Sequence, residues 1–122
     1  MTNFREKFIT EANNLIQNLE ESLEKLEKNP KDTETIFSVF RVIHSLKGGG
    51  GMFGFEEISN FSTSLEDIYN QIRNGEKQVT TELIEVTRES AIHYKNLLKE
   101  DIEISSDIKK VSKMLIKKVS AL

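Results

Sequence analysis

Residues 36–55 read IFSVFRVIHSLKGGGGMFGF, from Ile36 to Phe55. Apolar residues recur in the first half of this stretch with the spacing of an amphipathic helix. Five of the six glycines lie within this stretch, after His44, which is one of only two histidines in the chain. Each glycine inside a helix costs roughly 1 kcal/mol relative to alanine, so the four consecutive glycines cost about 3–4 kcal/mol of helix propensity. Such a run is expected only where another backbone packs closely or where a partner must reach the histidine.

Apolar residues recur at steps of three and four on both sides of this stretch, which predicts helices. We predict five helices, over residues 3–28, 32–51, 55–74, 80–99 and 105–121. The apolar stripe of the first consists of Phe4, Phe8, Ala12, Leu15, Leu19, Leu23 and Leu26. The stripe of the fifth consists of Ile104, Ile108, Val111, Leu115 and Val119.

The predicted helix ends rest on capping and turn residues. Asn29-Pro30 ends the first helix, because proline lacks the N–H that a helix interior needs. Asn74-Gly75 is a typical C-terminal cap and turn for the third. Asp32 or Thr33 caps the second, and the fifth is capped by one of the two serines at 105 and 106.

The helices predict an all-α fold. No segment shows the sustained two-residue alternation of a strand, and the predicted connections are short, so consecutive helices are expected to be antiparallel neighbours. We predict an up-down four-helix bundle with a fifth, C-terminal helix packed on it. The length fits a single domain over residues 1–122. This domain could also be one module of a longer protein.

Composition excludes several functional classes. Seventeen basic and twenty acidic side chains are interspersed, for a net charge of −3, which argues against nucleic acid as a partner. The chain has no cysteine, so disulfides and thiolate metal sites are excluded. Charged N-terminal residues and the lack of an apolar run of about 20 residues predict a cytoplasmic protein without membrane contact. The one basic cluster is interpreted as a solvated helix face, and it comprises Lys109, Lys110, Lys113, Lys117 and Lys118.

His44 is the candidate nucleophile. Ile43 lies on the apolar stripe and each residue turns a helix by about 100°, so His44 is expected at the border between core and water. Lys47 and Gly48 follow one turn later on the same surface, and Gly51 follows after two turns. Imidazole titrates near neutrality and keeps a free lone pair when neutral, which suits nucleophilic chemistry.

The third helix offers two carboxylates that could orient the imidazole, Glu66 and Asp67. Glu66 follows Leu65, a stripe residue, so it lies on a flank of the helix and is the better candidate. His93 has no accompanying motif and is interpreted as structural.

Other interpretations of the glycine run fail. A phosphate-binding loop needs Gly-Lys-Ser/Thr at its end, between a strand and a helix, whereas Lys47 precedes the glycines here. Two distant histidines without cysteine do not supply a metal centre, and the Glu-x-x-His pattern of di-iron bundles is absent from the sequence.

The residues from Phe40 to Gly49, then Gly51 and the run from Phe53 to Phe55, closely resemble the phosphorylation motif of histidine-phosphotransfer (Hpt) domains. The version with this glycine–phenylalanine continuation is most similar to the N-terminal phosphotransfer domain of CheA-type chemotaxis histidine kinases. Residues 68–76 also resemble the end of the third helix of that family. The five-helix layout matches over essentially the whole chain.

The resemblance implies a role in two-component signalling. His44 would accept a phosphoryl group on Nε2 from ATP, which a separate kinase domain binds with magnesium. It would then pass the group to an aspartate in the receiver domain of a response regulator. The domain itself would hold no cofactor or metal, be monomeric and not be an enzyme alone, although it would form part of a histidine kinase.

Position by position, Glu66 matches the glutamate that hydrogen-bonds the histidine Nδ1, and Lys47 matches the lysine near the phosphoryl oxygens. We expect partner domains to approach His44 over a surface of small residues. That surface comprises Gly48, Gly49, Gly51 and Thr63. Thr63 stands where the family often carries a second histidine, and it is placed to hydrogen-bond Glu66.

Two alternatives remain open at the level of sequence. A stand-alone relay protein would share this chemistry and differ only in its gene context. A helical docking module that is never phosphorylated would belong to a different class, but it would not need His44, Lys47 and Glu66 together.

Overall fold

The computed structural model describes residues 3–99 and 105–122. Over those ranges the chain is helical, without strands, so the predicted all-α class is confirmed. The helices are α1 (Phe4–Lys28), α2 (Thr33–Met52), α3 (Glu56–Arg73), α4 (Thr81–Lys99) and α5 (Ser106–Ser120). Each helix begins and ends within one residue of its predicted position. Ile104, which we assigned to the fifth apolar stripe, lies outside the described residues.

Side-chain caps begin two of the helices where the sequence left a choice. The Asp32 carboxylate accepts a hydrogen bond from the Thr35 N–H at 3.4 Å, at the start of α2. The Ser105 hydroxyl accepts one from the Ile108 N–H at 3.2 Å, at the start of α5. Each cap satisfies one of the backbone donors that a helix N-terminus leaves unpaired.

The first four helices form the bundle, and α5 packs on it. α2 and α3 make the most extensive pair, α1 packs on α2 and α4, and α5 lies against α3 and α4. The largest fully buried side chains are Tyr69, Tyr94, Phe61, Ile16, Leu19, Leu23, Leu26, Ile43, Leu46, Ile58, Leu65 and Leu83. The core therefore draws on all four helices of the bundle. α5 packs against both α3 and α4, the neighbouring helices with the least extensive mutual contact.

Two predicted core positions are wrong. Phe4 is 62% exposed, because it lies in the first turn of α1, where the Lys7 ammonium lies over its ring at 5.9 Å. Val111 is 38% exposed, because the buried face of α5 is centred one position later, on Ser112. On α1, the inner face includes Ile16, which we did not assign to the stripe.

Paired hydroxyls join α3 to α4 inside the core. The Tyr69 and Thr87 hydroxyl oxygens lie 2.7 Å apart, and those of Ser62 and Tyr94 lie 2.6 Å apart. Burial raises the pKa of both tyrosines, so they stay neutral. Among the described residues, no buried side-chain nitrogen or oxygen lacks a hydrogen-bond partner, as a stable core requires.

Candidate functional site

The site lies on the α2–α3 hairpin, which a tight glycine turn closes. Gly54 has a φ of +86°, in the left-handed region that favours glycine. The Phe55 N–H donates to the Gly50 carbonyl at 2.7 Å across this turn, the long-range bond of a Schellman C-cap. The turn brings α3 back along α2.

The four consecutive glycines divide into two kinds of position. A Cβ on Gly49 would overlap the buried ring of Phe8, and one on Gly50 would lie 3.0 Å from Ile58 Cγ2. A Cβ on Gly48 would have nothing within 4 Å, and one on Gly51 would meet only Ser59, at 3.4 Å or more. Gly48 and Gly51 are exposed. Gly49, which we expected on the approach surface, is instead a packing position that lets α1 come close to α2.

His44 and Glu66 meet across the two helices. His44 Nδ1 lies 2.7 Å from Glu66 Oε2, with the histidine side chain 69% exposed and the glutamate side chain 16% exposed. The carboxylate is therefore sheltered between α2 and α3, while most of the imidazole faces solvent. The short distance follows from the register of the hairpin, which sets the middle of α3 beside the second half of α2.

The charge on Glu66 decides which nitrogen of His44 is free. Burial acts to raise the pKa of Glu66, but hydrogen bonds and positive charge from His44 and Lys47 outweigh it, so the pKa lies below its usual value. The carboxylate is thus ionised at neutral pH and can only accept hydrogen bonds. In the neutral form of His44, Nδ1 must then carry the proton, which leaves the Nε2 lone pair free.

Lys47 holds the other side of the same carboxylate. Its ammonium donates to Glu66 Oε1 at 3.2 Å, and the lysine side chain is 35% exposed. The two carboxylate oxygens therefore bind different groups, one on His44 and one on Lys47. An ammonium has three donors, so this bond leaves Lys47 with donors for a further anion beside His44.

An aromatic and cationic group that we did not predict adjoins the imidazole. The Phe40 ring lies nearly parallel to that of His44, at 13° and with 6.0 Å between centroids. The Arg73 guanidinium carbon lies over Phe40, 4.2 Å from its centroid. The spacing of Phe40 and His44, one helical turn, was visible in the sequence, but the approach of Arg73 from the end of α3 was not.

Two further predicted residues lie apart from this pair. Thr63 is exposed and its hydroxyl donates to the Ser59 carbonyl at 3.4 Å, the i−4 bond within its own helix, instead of to Glu66. His93 is buried and its Nε2 lies 2.6 Å from the Ser112 hydroxyl, which agrees with the structural role predicted for it.

The described part of the chain contains no group of three or more histidine, cysteine or acidic residues placed to hold a metal ion. None of its helices is long and apolar enough to span a bilayer. The chemistry that the site does offer is that of an exposed, oriented nucleophilic nitrogen with a cation nearby.

Comparison with known proteins identifies the family. The sequence model described as "Hpt domain" matches residues 3–107. The chain belongs to the Hpt domain family. It is 34% identical to the chemotaxis protein CheA of Borreliella burgdorferi over 91 residues, which is 75% of this chain and 10% of that protein. It is 29% identical to CheA of Bacillus subtilis over 103 residues, 84% of this chain and 15% of that protein.

Solved structures agree with this assignment. The CheA phosphotransferase domain from Thermotoga maritima matches with a TM-score of 0.74 and 33% identity, over 78% of this chain and 90% of that one. A histidine phosphotransfer domain of CheA, determined in solution, matches with a TM-score of 0.77 and 29% identity, over 92% of this chain and 88% of that one. The chain is thus an Hpt phosphotransfer domain of the CheA type, and it spans a sixth or less of the curated CheA relatives described above.

Proposed function

We propose that His44 carries phosphoryl groups in a chemotaxis-type two-component pathway. In this proposal a separate histidine kinase catalytic domain binds ATP and magnesium and phosphorylates Nε2 of His44. The receiver domain of a response regulator then takes the group onto an aspartate. The observation that carries the proposal is the 2.7 Å contact between His44 Nδ1 and the ionised Glu66, because it leaves Nε2 unprotonated on an imidazole that is 69% exposed.

The first transfer follows from this protonation state. The Nε2 lone pair attacks the γ-phosphorus, the bond from that phosphorus to its bridging oxygen breaks, and ADP leaves with the electron pair. The imidazole gains positive charge as the N–P bond forms, and its proton stays on Nδ1, where the Glu66 carboxylate stabilises it. Phosphoryl transfer depends mainly on positioning and on charge stabilisation, so two helices can supply what the domain must contribute.

In the second transfer, the N–P bond that formed in the first step is broken. A carboxylate oxygen of the receiver aspartate attacks phosphorus, the N–P bond breaks, and its electron pair returns to Nε2. The neutral imidazole, still protonated on Nδ1, is regenerated without a net proton change. In both steps we assign to Lys47 the neutralisation of the phosphoryl oxygens, because its ammonium has donors beyond the one that it gives to Glu66.

We further propose that the chain works in the cytoplasm as one module of a CheA-like kinase and has no kinase activity alone. This rests on its CheA relatives, of which it matches only a small part. The partners that it needs are the remaining kinase regions and a receiver domain.

The test is transfer of labelled phosphate from ATP. The donor is Bacillus subtilis CheA truncated to remove the segment that this chain matches, with the 122-residue chain as acceptor. We expect the native chain to be labelled and His44→Gln to stay unlabelled. Ser45→Ala is the matched control, because Ser45 is an adjacent exposed hydroxyl, and it should keep the label.

Undiminished labelling of His44→Gln would overturn the proposal. The chemistry of the label is a second criterion, since the P–N bond of phosphohistidine breaks in acid and persists in alkali. A label that survives acid and is lost in alkali would point to a hydroxyl or carboxylate acceptor.

A further inference from the structure

We infer that Phe40, held in place by Arg73, is a positioning residue that fixes the plane of the His44 imidazole for phosphoryl transfer. The inference deepens the proposed function and rests on it. It starts from the exposure of His44: a side chain that is 69% exposed has few neighbours to hold it. The hydrogen bond from Nδ1 to Glu66 fixes one atom of the ring, but the ring can still pivot about that bond.

Phe40 supplies the missing second support. It lies one turn before His44 on α2, and its ring is stacked at 13° with 6.0 Å between centroids, within the range of offset aromatic stacking. A pivot of the imidazole about its bond to Glu66 would break this near-parallel arrangement. The direction of Nε2 is therefore set by two groups, Glu66 through a hydrogen bond and Phe40 through stacking.

Arg73 in turn holds the Phe40 ring. Its guanidinium carbon lies 4.2 Å from the Phe40 centroid, a close cation–π contact. Arg73 is itself anchored, because it donates to the Asn70 side-chain oxygen at 2.6 Å. Since Arg73 and Glu66 both belong to α3, that helix orients the imidazole directly through Glu66 and indirectly through Phe40.

This arrangement bears on the rate of transfer more than on docking. Nucleophilic attack requires the Nε2 lone pair to point along the line of the breaking P–O bond, and a misdirected ring reduces the fraction of productive encounters. Loss of the stacked ring should therefore lower kcat and leave KM for the acceptor domain unchanged. A residue that served only to dock the partner would change KM instead.

The experiment measures kcat and KM for phosphorylation of the full chain by Bacillus subtilis CheA truncated as above. For Phe40→Leu we expect kcat to fall about three- to tenfold with KM unchanged, as the loss of an aromatic contact predicts. Phe40→Tyr keeps the ring and should stay within about twofold of native. Phe4→Leu, the same change at an exposed phenylalanine of α1 with a lysine over its ring, should have no effect.

Arg73→Gln gives a second measurement that does not disturb the core, because Arg73 is exposed. We expect a smaller fall in kcat, and the double variant with Phe40→Leu should be no slower than Phe40→Leu alone. The inference is overturned if Phe40→Leu keeps native kcat, if only its KM changes, if Phe40→Tyr is as slow as Phe40→Leu, or if the two effects are additive. A native chain that is not labelled at His44 would contradict the proposed function itself, so the two failures are distinguishable.

Discussion

At the scale of single residues, the site depends on how one carboxylate is shared. Glu66 accepts from His44 on one oxygen and from Lys47 on the other, while its side chain is largely buried. We expect Glu66→Ala to slow phosphorylation of His44 about 10- to 100-fold, the range for loss of a hydrogen bond to a charged group. The reason is that Nδ1 would lose the acceptor that keeps its proton and holds the ring.

Asp67 provides the matched control for this prediction. It is the neighbouring carboxylate on α3 and is exposed, so Asp67→Ala removes the same charge without touching His44. Initial rates of labelling, with helical content checked by circular dichroism, compare the two variants. Equal rates for Glu66→Ala and the native chain would show that Glu66 does not orient the imidazole.

The sequence predicts which face of its own helix a residue occupies. The position of His44 on a flank of α2 follows from helix geometry applied to Ile43, and the flank position of Glu66 follows likewise from Leu65. The role of Gly49 depends on the ring of Phe8, and the role of Phe40 depends on Arg73. Both contacts join different helices, and apolar spacing alone does not fix the relative height of two helices in a bundle.

At the scale of elements, we predict that alanine substitution has opposite effects on stability at two neighbouring glycines of α2. Gly48→Ala places a methyl group in open space and should stabilise the domain by about 0.5–1 kcal/mol, because alanine loses less backbone entropy in a helix. Gly49→Ala gains the same propensity but overlaps Phe8, which packs between Phe53 and Phe55. Overpacking costs typically about 1–3 kcal/mol, so Gly49→Ala should be net destabilising.

Urea unfolding of the two variants measures this difference. The midpoint is expected to rise for Gly48→Ala and to fall for Gly49→Ala, with the same slope against urea. If both midpoints rise, the ring of Phe8 moves aside without cost and α1 does not constrain the glycine.

The ends of the helices were predictable from the sequence because caps and turns are local. The different roles of the glycines in the run depend on how the helices pack, so the sequence did not predict them.

At the scale of the whole molecule, one buried histidine joins three helices. His93 of α4 lies edge-on to Phe61 of α3, with 4.9 Å between centroids, and its Nε2 is 2.6 Å from the Ser112 hydroxyl of α5. It is the side chain through which α5 gains a polar bond to the bundle core. We interpreted His93 as structural because no motif accompanies it in the sequence. The sequence did not predict Ser112 as its partner, because Val111 and not Ser112 was assigned to the buried face.

We expect this junction to make the free energy of unfolding depend on pH. Burial lowers the pKa of His93, partly offset by the negative charge of Glu57, so the folded state keeps the imidazole neutral at pH values where the unfolded chain takes up a proton. The unfolded state binds more protons below about pH 6.5, so the free energy of unfolding falls as the pH is lowered through that value, by up to about 1.4 kcal/mol per unit. The loss ends at the depressed pKa of the folded state.

We therefore expect urea unfolding to show that the native chain is less stable at about pH 5.5 than at about pH 7.5. Glu66 stays ionised over this range, because its pKa is lowered. His93→Gln removes this buried imidazole and should reduce the difference in stability between the two pH values. Ser112→Ala is the control: it lowers stability at both pH values by removing a buried hydrogen bond, but it leaves His93 buried and should keep the pH dependence. If the pH dependence of stability is unchanged in His93→Gln, other groups cause it. That result would contradict the prediction that protonation of His93 weakens the contact between α5 and the bundle in acid.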